Sequence, residues 1–263
     1  MRYKAIISFF AAMLMAVPVL AETNQDSEDE YTGSDKKNTW ELRPRIGYNI
    51  GGTAPMDMPA SIRSVDAFYL KPSFMLGCDV KRYLIKNLAL SLGLYFEWKD
   101  MDSEVSTKGY RMQVKMDEDE MEGFYTGHVR QKVHMAMFTL PLLVNFDVNS
   151  RLTLKAGPYV SWVFNKDFSG YAFDGYLRKD TPTGAKVVMG DKEGEWATYE
   201  FPDEVRSWQA GVALGLDWRF YRRFGLSVDF SWGLTALMKS DFKTVDQTLY
   251  PLYGRIGLFY KLN

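Results

Sequence analysis

The chain has 263 residues, of which 46% are apolar and 15% aromatic, and this composition excludes a disordered or low-complexity protein. Its 32 Lys and Arg residues nearly balance 33 Asp and Glu residues, so the overall charge does not indicate nucleic-acid binding. A single cysteine, Cys78, excludes an intramolecular disulfide framework, and two histidines, His128 and His134, leave little material for a zinc site. We therefore expect no metal and no cofactor.

The N-terminal segment has the three parts of a secretory signal peptide. A basic start is followed by an apolar stretch from Ile6 to Leu20, and the small residue Ala21 precedes a polar sequence. Residues 22–39 are polar and mostly acidic, which is typical of a flexible leader. We predict a signal peptide at 1–21, a flexible acidic leader at 22–39 and one folded domain at 40–263.

From residue 40 onward, apolar and polar residues alternate with a period of two, which predicts long strands with one apolar face. The clearest example is 208–220, followed after only three residues by 224–236, so these two strands form a tight hairpin. The strands predicted in this way are 42–50, 68–80, 88–98, 134–148, 152–164, 208–220, 224–236 and 252–262. Their lengths suit tilted strands that cross a bilayer.

The connections between these strands alternate in length. Those after the second, fourth and sixth strands are short (81–87, 149–151 and 221–223), whereas those after the first, third, fifth and seventh have about 17, 35, 43 and 15 residues. Short turns at one end and long loops at the other are the pattern of outer-membrane barrels. The sequence therefore predicts an all-β, closed, antiparallel up-and-down transmembrane β-barrel of eight strands, with short periplasmic turns, long extracellular loops and both termini, including the leader, in the periplasm.

A secreted lipocalin-like barrel is the alternative, with the apolar face turned inward. The opposite face is rich in small residues such as Gly211, Gly215, Gly225 and Ser227, whereas a sheet surface in water normally carries charged side chains. The large apolar side chains would also crowd the interior of eight strands. The aromatic residues fall at both strand ends, as in interfacial girdles. They are Trp98, Trp162, Trp208 and Trp232 at the long-loop end and Trp40, Trp218, Phe220 and Tyr260 at the short-turn end.

Four prolines within the predicted strands lack the N–H that a ladder bond needs, so we expect bulges or local kinks there. They are Pro44, Pro72, Pro141 and Pro158.

Six segments carry a resemblance to a known family. They are RPRIGYNIGGTAPM (43–56), GHVRQKV (127–133), FTLPL (138–142), LKAGPYVS (154–161), DFSGYAFDGYLRKDTPTG (167–184) and DFKTVDQTLYPLYG (241–254). On these segments the chain resembles the PorT-like outer-membrane β-barrel family of Bacteroides-type bacteria. The resemblance implies a barrel in the outer membrane and, through the namesake branch, a role in protein secretion as an alternative function. The chain departs from many outer-membrane barrels in its end, Tyr260-Lys261-Leu262-Asn263.

The inward face of the predicted barrel carries charges of both signs, and we predict that they form a lumen charge network. Its members are Arg43, Arg45, Lys71, Asp79, Glu97, Lys155, Asp217, Arg219, Asp229, Arg255 and Lys261. A turn symmetric about Leu84 would place Lys71 opposite Glu97, which predicts an ion pair between them. The network is either structural or the lining of a narrow polar channel, and an interior of eight strands favours the structural interpretation.

The long loops are the expected place of function, because loops on a rigid scaffold usually carry binding. Tyr171, Phe173, Tyr176 and Arg178 form a candidate recognition cluster. The alternative is that the loops fold over and plug the barrel. We expect one loop hairpin at 185–201 that turns at Gly190–Gly194, and another that pairs 110–116 with 123–133 through the acidic run 117–122.

We therefore predict a structural or surface-binding outer-membrane protein. Its expected partners are outer-membrane lipid and lipopolysaccharide, with an extracellular ligand or a secretion-machinery protein, and no nucleic acid. A lipid A-modifying enzyme is a further alternative, for which His134, Ser161 and Asp167 lie at the outer ends of two strands. No local motif connects these three residues, so we expect no catalysis.

Overall fold

The structure, a computed structural model, describes residues 39–55, 59–116, 119–179, 181–192, 194–240 and 248–262. The predicted signal peptide and all of the predicted leader except Thr39 lie outside these residues. The described part of the chain contains eleven strands, a 3-10 turn at Pro202–Glu204 and no α-helix. None of its helical residues forms a segment long and apolar enough to cross a membrane.

The strands, in chain order, are β1 (Trp40–Pro55), β2 (Ile62–Tyr69), β3 (Phe74–Ile85), β4 (Leu88–Met116), β5 (Asp119–Asp147), β6 (Leu152–Lys179), β7 (Lys186–Met189), β8 (Ala197–Glu200), β9 (Trp208–Tyr221), β10 (Phe224–Gly233) and β11 (Leu249–Tyr260). Eight of them pair antiparallel in the order β1, β3, β4, β5, β6, β9, β10, β11. The ring closes because β11 pairs with β1 from Phe259↔Arg45 to Leu249↔Pro55. The predicted closed eight-stranded antiparallel barrel is confirmed.

The apolar face of the barrel points outward, which is the arrangement of a membrane barrel and excludes the lipocalin-like alternative. In β5, for example, Leu140, Leu142, Val144 and Phe146 are all more than 40% exposed, and charged and polar side chains fill the interior. A belt of such side chains would be unfavourable in water but matches the hydrocarbon of a bilayer.

The first hairpin of the barrel differs from the prediction. The second strand was expected at 68–80 with a turn at 81–87, but β3 extends to Ile85 and the chain turns at Lys86 and Asn87. The turn was predicted there because charged residues, such as those at 81 and 82, are typical of turns. In the barrel, however, Lys81 is 1% exposed and points into the lumen, so the alternation continues through it. Glu97 is therefore placed opposite Met75.

The prolines are not accompanied by bulges, whereas local kinks, the other expectation, stay a prediction. Pro72 lies outside the strands, and Pro44 precedes the first residue of β1 that pairs with β11. At Pro141 and Pro158 the ladders open without a change of register: pairing stops between Leu92↔Leu142 and Tyr95↔Thr139, and between Pro141↔Tyr159 and Val144↔Ala156. A missing pair, rather than an extra residue, thus accommodates the absent N–H groups.

A second folded layer, which we call the cap, stands on the long-loop end of the barrel. It consists of the described residues within 59–72, 101–133, 168–207 and 234–248. The three strands β4, β5 and β6 have 28 or 29 residues each, whereas about 9–11 residues suffice to cross a bilayer, so their distal parts extend into the cap. There β2 pairs with β4, and β8 pairs with β6 and reaches β4 at Thr198↔Lys115.

The two predicted loop hairpins have different outcomes. Segments 110–116 and 123–133 pair as expected, although the strands continue into the acidic run as far as Met116↔Asp119. The hairpin at 185–201 is wrong, because β7 and β8 both pair with β6, at 175–178 and 169–172. The ladder between β6 and β9 ends at Trp162↔Trp208, so the distal part of β6 has a free edge, and the two short strands occupy it.

The hydrophobic core of the molecule lies mainly in this cap rather than in the barrel. Its buried members are Met101, Met112, Val114, Tyr125, Val129, Val133, Met135, Met137, Val163, Phe168, Ala172, Leu177, Met189, Ala197, Tyr199, Val205, Leu237, Met238 and Leu249. The long loops are therefore a packed structure with an apolar interior.

Candidate functional site

An ion-pair network occupies the interior of the barrel, and its centre is Asp217 on β9. This carboxylate, 1% exposed, lies 2.5 Å from Nη2 of Arg45, 2.7 Å from Nζ of Lys155 and 3.4 Å from Nη1 of Arg43. Arg45 also pairs with Asp79 on β3. These contacts connect β1, β3, β6 and β9 across the lumen.

From this centre the network continues toward the long-loop end. Nζ of Lys155 is also 2.7 Å from Oδ1 of Asp229 on β10. Arg255 on β11 contacts Asp229 at 3.0 Å and Glu97 on β4 at 3.1 Å. Glu97 in turn lies 2.9 Å from Nζ of Lys99. Positive and negative side chains thus alternate along a continuous path.

The short-turn end has its own pairs. Glu41 lies 2.5 Å from Arg43 and 2.8 Å from Lys261, and Lys81 lies 2.9 Å from Asp147. Burying such charges is favourable only when each has a partner of opposite sign, and each named member of the network has one.

Close packing in the network depends on a glycine. A Cβ atom at Gly215 of β9 would overlap the carboxylate of Asp229 and the Lys155 side chain. The small inward-facing residue therefore provides the volume that this ion pair occupies.

The structure places every predicted lumen residue in this network except Lys71 and Arg219. Lys71 is about 40% exposed and lies 3.1 Å from Asp102 in the cap, so the predicted ion pair between Lys71 and Glu97 is wrong. The cause is the turn at Lys86 and Asn87, which shifts the register of β3 against β4. Arg219 donates a hydrogen bond of 2.6 Å to the carbonyl of Ser150 in the neighbouring turn.

Four network members were missed in the sequence: Glu41, Lys81, Lys99 and Asp147. The first three lie one residue outside the predicted strands, and Asp147 holds an inward position within one. Extending the alternation by one residue at each strand end would have found the first three, and reading every inward position of 134–148 would have found Asp147.

A partly open apolar cavity of about 270 Å³ lies between the cap and the rim of the barrel. Its lining is mostly apolar and includes Ile62, Val65, Phe68, Met101, Val105, Met112, Val129, Phe168, Tyr199, Phe201, Leu249 and Leu252. Gln131 also lines the cavity, and its side-chain Nε2 atom is buried and has no hydrogen-bond partner among the described residues. A buried donor without a partner is costly, so this amide favours an occupant with an acceptor.

The predicted recognition cluster divides into two pairs along β6. Tyr171 is 5.5 Å from Phe173 and stacks on Trp196 at 4.3 Å, measured between ring centroids. The guanidinium of Arg178 lies 5.8 Å from the Tyr176 ring. All four side chains are half-buried by other cap residues. A role in recognition stays a prediction.

The three residues considered for catalysis do not form a triad. Ser161 is fully buried in the lumen, where its hydroxyl is 2.8 Å from that of Thr139. The Nδ1 atom of His134 contacts Asp100 on the outer face of the wall, and Asp167 is the cross-strand neighbour of His134. A base on one face of a sheet cannot activate a hydroxyl on the other.

A family model described as an outer membrane protein beta-barrel domain matches residues 24–239. The chain is also similar to three solved structures. They are Ail, the attachment invasion locus protein of Yersinia pestis (9% identity, TM-score 0.36, 86% of this chain and 99% of that one), CarO of Acinetobacter baumannii (9%, 0.41, 84% and 96%) and OprG of Pseudomonas aeruginosa (12%, 0.33, 88% and 99%). No curated protein matches the chain significantly.

Proposed function

Because the chain belongs to the outer membrane protein β-barrel domain family, we propose that it is a surface-binding protein of the outer membrane whose cap binds a small apolar molecule with one hydrogen-bond acceptor. The observation that carries this proposal is the apolar cavity with the unpartnered Gln131 amide in its wall.

The size of the cavity limits the ligand. An apolar cavity of about 150 Å³ binds benzene, so the larger volume of 270 Å³ suits a bicyclic aromatic or a similar compact molecule. The donor at Gln131 selects a carbonyl oxygen on that molecule, because a buried amide N–H gains a partner only from an acceptor.

The proposal includes an orientation for the barrel. The short turns and both termini face the periplasm and the cap faces the cell exterior, where the aromatic girdle beside the cap adjoins lipopolysaccharide. This orientation follows the general arrangement of outer-membrane barrels. It would present the cavity to ligands outside the cell.

The test uses full-length protein in lipid nanodiscs and two probes of nearly equal shape, 2-acetylnaphthalene and 2-ethylnaphthalene. We expect about tenfold tighter binding of the acetyl compound, because only this probe satisfies the Gln131 donor. Gln131→Leu should abolish the preference, and Val105→Trp should abolish binding of both probes by filling the cavity. Val188→Trp is the matched control, because Val188 is 64% exposed and lies outside the cavity wall. Equal affinities of parent and Val105→Trp would refute the proposal.

The lumen network supports a structural role for the barrel, against the alternative of a narrow channel. Its buried, mutually paired charges cross the lumen between Arg45, Lys155 and Asp217. A role in protein secretion, implied by the resemblance to the PorT-like branch, is the other alternative. Loss of secreted proteins from the medium of a deletion strain would favour it over ligand binding.

A further inference from the structure

Three metal-ligating side chains converge on the outer face of the cap. Asp66 on β2, Glu104 on β4 and His128 on β5 present donor atoms that all lie within 4.8 Å of one another. Neighbouring residues on the same strands, Val65 and Val105, line the apolar cavity. The three donors therefore lie on the surface of the cap wall whose other face borders the cavity.

Irregularities in the sheet direct two of these side chains to one point. The register of β2 against β4 shifts between Val65 and Ala67, which leaves Asp66 without a cross-strand partner. The register of β5 against β6 shifts between Thr126 and His128, at Gly127 with a φ of 149°. Bulges of this kind re-aim side chains, and here Nδ1 of His128 lies 3.2 Å from Oδ2 of Asp66.

Among the described residues, no lysine or arginine forms an ion pair with Asp66 or Glu104. The Asp66 carboxylate accepts hydrogen bonds from Ser64 and Ser106, both 2.6 Å long. Glu104 has no ion pair or hydrogen bond from its side chain among the described residues. Its cross-strand neighbour Arg130 directs two nitrogens to Asp102 instead, at 2.8 and 2.9 Å.

Two carboxylates therefore face one imidazole, and their mutual repulsion is not offset by a lysine or arginine of the described residues. A bound divalent cation would remove the remaining repulsion and use all three donors. The donors belong to three strands, so such an ion would fasten β2 to the β4–β5 hairpin.

We propose that Asp66, Glu104 and His128 form a binding site for a divalent transition-metal ion, with Zn²⁺ as the probe ion. One imidazole nitrogen and two carboxylate oxygens are a ligand set that zinc accepts, and water would complete a four-coordinate site. Donor atoms around tetrahedral zinc lie about 3.4 Å apart, so donor atoms that lie within 4.8 Å of one another would move closer together when zinc binds. The site does not depend on the proposed ligand of the cavity.

The test is a calorimetric titration of ZnCl₂ into full-length protein in nanodiscs, after treatment with a chelator and its removal. We expect one zinc ion per chain, and at least tenfold weaker binding for His128→Ala and for Glu104→Gln. The second histidine gives a matched control, because His134 lies at the rim of the barrel and contacts Asp100 instead. His134→Ala should bind zinc as the parent does.

A second measurement uses Co²⁺ as a spectroscopic substitute. Its visible absorption reports inner-sphere coordination, and it should be present in the parent and in His134→Ala but absent in His128→Ala. Heat-shifted gel mobility shows whether each variant is folded. If His128→Ala does not fold, Glu104→Gln replaces it in both measurements. The proposal is overturned if the parent binds no zinc, if His128→Ala binds it with the parent's affinity, or if His134→Ala loses it. None of these readouts uses the naphthalene probes, so failure here is distinct from failure of ligand binding in the cavity.

Discussion

Asp217→Asn tests whether the lumen network stabilises the barrel. The substitution preserves the volume of the side chain but removes the negative charge that Arg43, Arg45 and Lys155 share. Removing one partner of a buried ion pair costs about 3–5 kcal/mol. Each of the three cations keeps another carboxylate, namely Glu41, Asp79 and Asp229 respectively, so the lower end of that range applies. We expect the free energy of unfolding to fall by about 3 kcal/mol, roughly a hundredfold in the folding equilibrium.

The assay is reversible urea unfolding of protein in lipid vesicles, followed by tryptophan fluorescence and by heat-shifted gel mobility. Glu122→Gln is the control, because it removes the same charge from a pair in which both side chains are about half exposed. Exposed pairs contribute about 0–1 kcal/mol, so this variant should unfold almost as the parent does.

A double variant adds a second test of the same reasoning. Lys155→Met combined with Asp217→Asn restores the charge balance, so its destabilisation should be smaller than the sum of the two single effects. If Asp217→Asn and Glu122→Gln lower the unfolding free energy equally, the reasoning is refuted, because the lumen charges would then be screened by water rather than by each other.

Three further predictions concern the cap, the packing of the lumen and conductance. Arg130→Met should destabilise the cap by about 1–3 kcal/mol, seen as faster proteolysis of the cap, because Asp102 loses two hydrogen bonds, whereas Lys71→Met should cost less. Burial raises the pKa of Asp102, but Arg130 and Lys71 outweigh this effect and hold the pKa below its ordinary value. The stability that the ionised Asp102 contributes to the cap is therefore complete above the ordinary carboxyl pKa. It is lost as the pH falls through the lower pKa of the folded state. Gly215→Ala should reduce the heat-shifted folded fraction, whereas Gly254→Ala should not, because a Cβ there meets nothing closer than 3.6 Å. Refolded parent protein should show no discrete conductance steps in planar bilayers, and regular steps would show that the paired charges leave an open path.

The membrane-spanning half of the fold could be predicted because its cause is local. Lipid outside and polar side chains inside impose a strict period of two, so the predicted strand 208–220 differs from β9 by one residue. The same rule failed at Lys81 because a charged residue usually indicates a turn, whereas the lumen of a barrel accepts charge if a partner is present. The position of that partner, Asp147, is set by the pairing of distant strands.

The cap could not be predicted in the same way, because its arrangement depends on which strand edges remain free. The positions of β7 and β8 follow from the point at which β9 stops pairing with β6. The sequence of 185–201 does not indicate where that point lies. The group of Asp66 and His128 joins residues 62 positions apart through two bulges. Neither residue has a motif around it, so only the three-dimensional pairing reveals the site.

The barrel and the cap differ in whether they contain polar groups without a partner, which a ligand could bind. In the lumen, each charged member of the network already has a partner of opposite sign, so a solute could enter only by breaking buried ion pairs. In the cap, the Gln131 amide and the Glu104 carboxylate lack partners among the described residues, one beside an apolar cavity and the other on the opposite face of the same wall. A ligand gains binding energy at polar groups that still lack partners, which supports the proposed ligand binding by the cap and a structural role for the barrel.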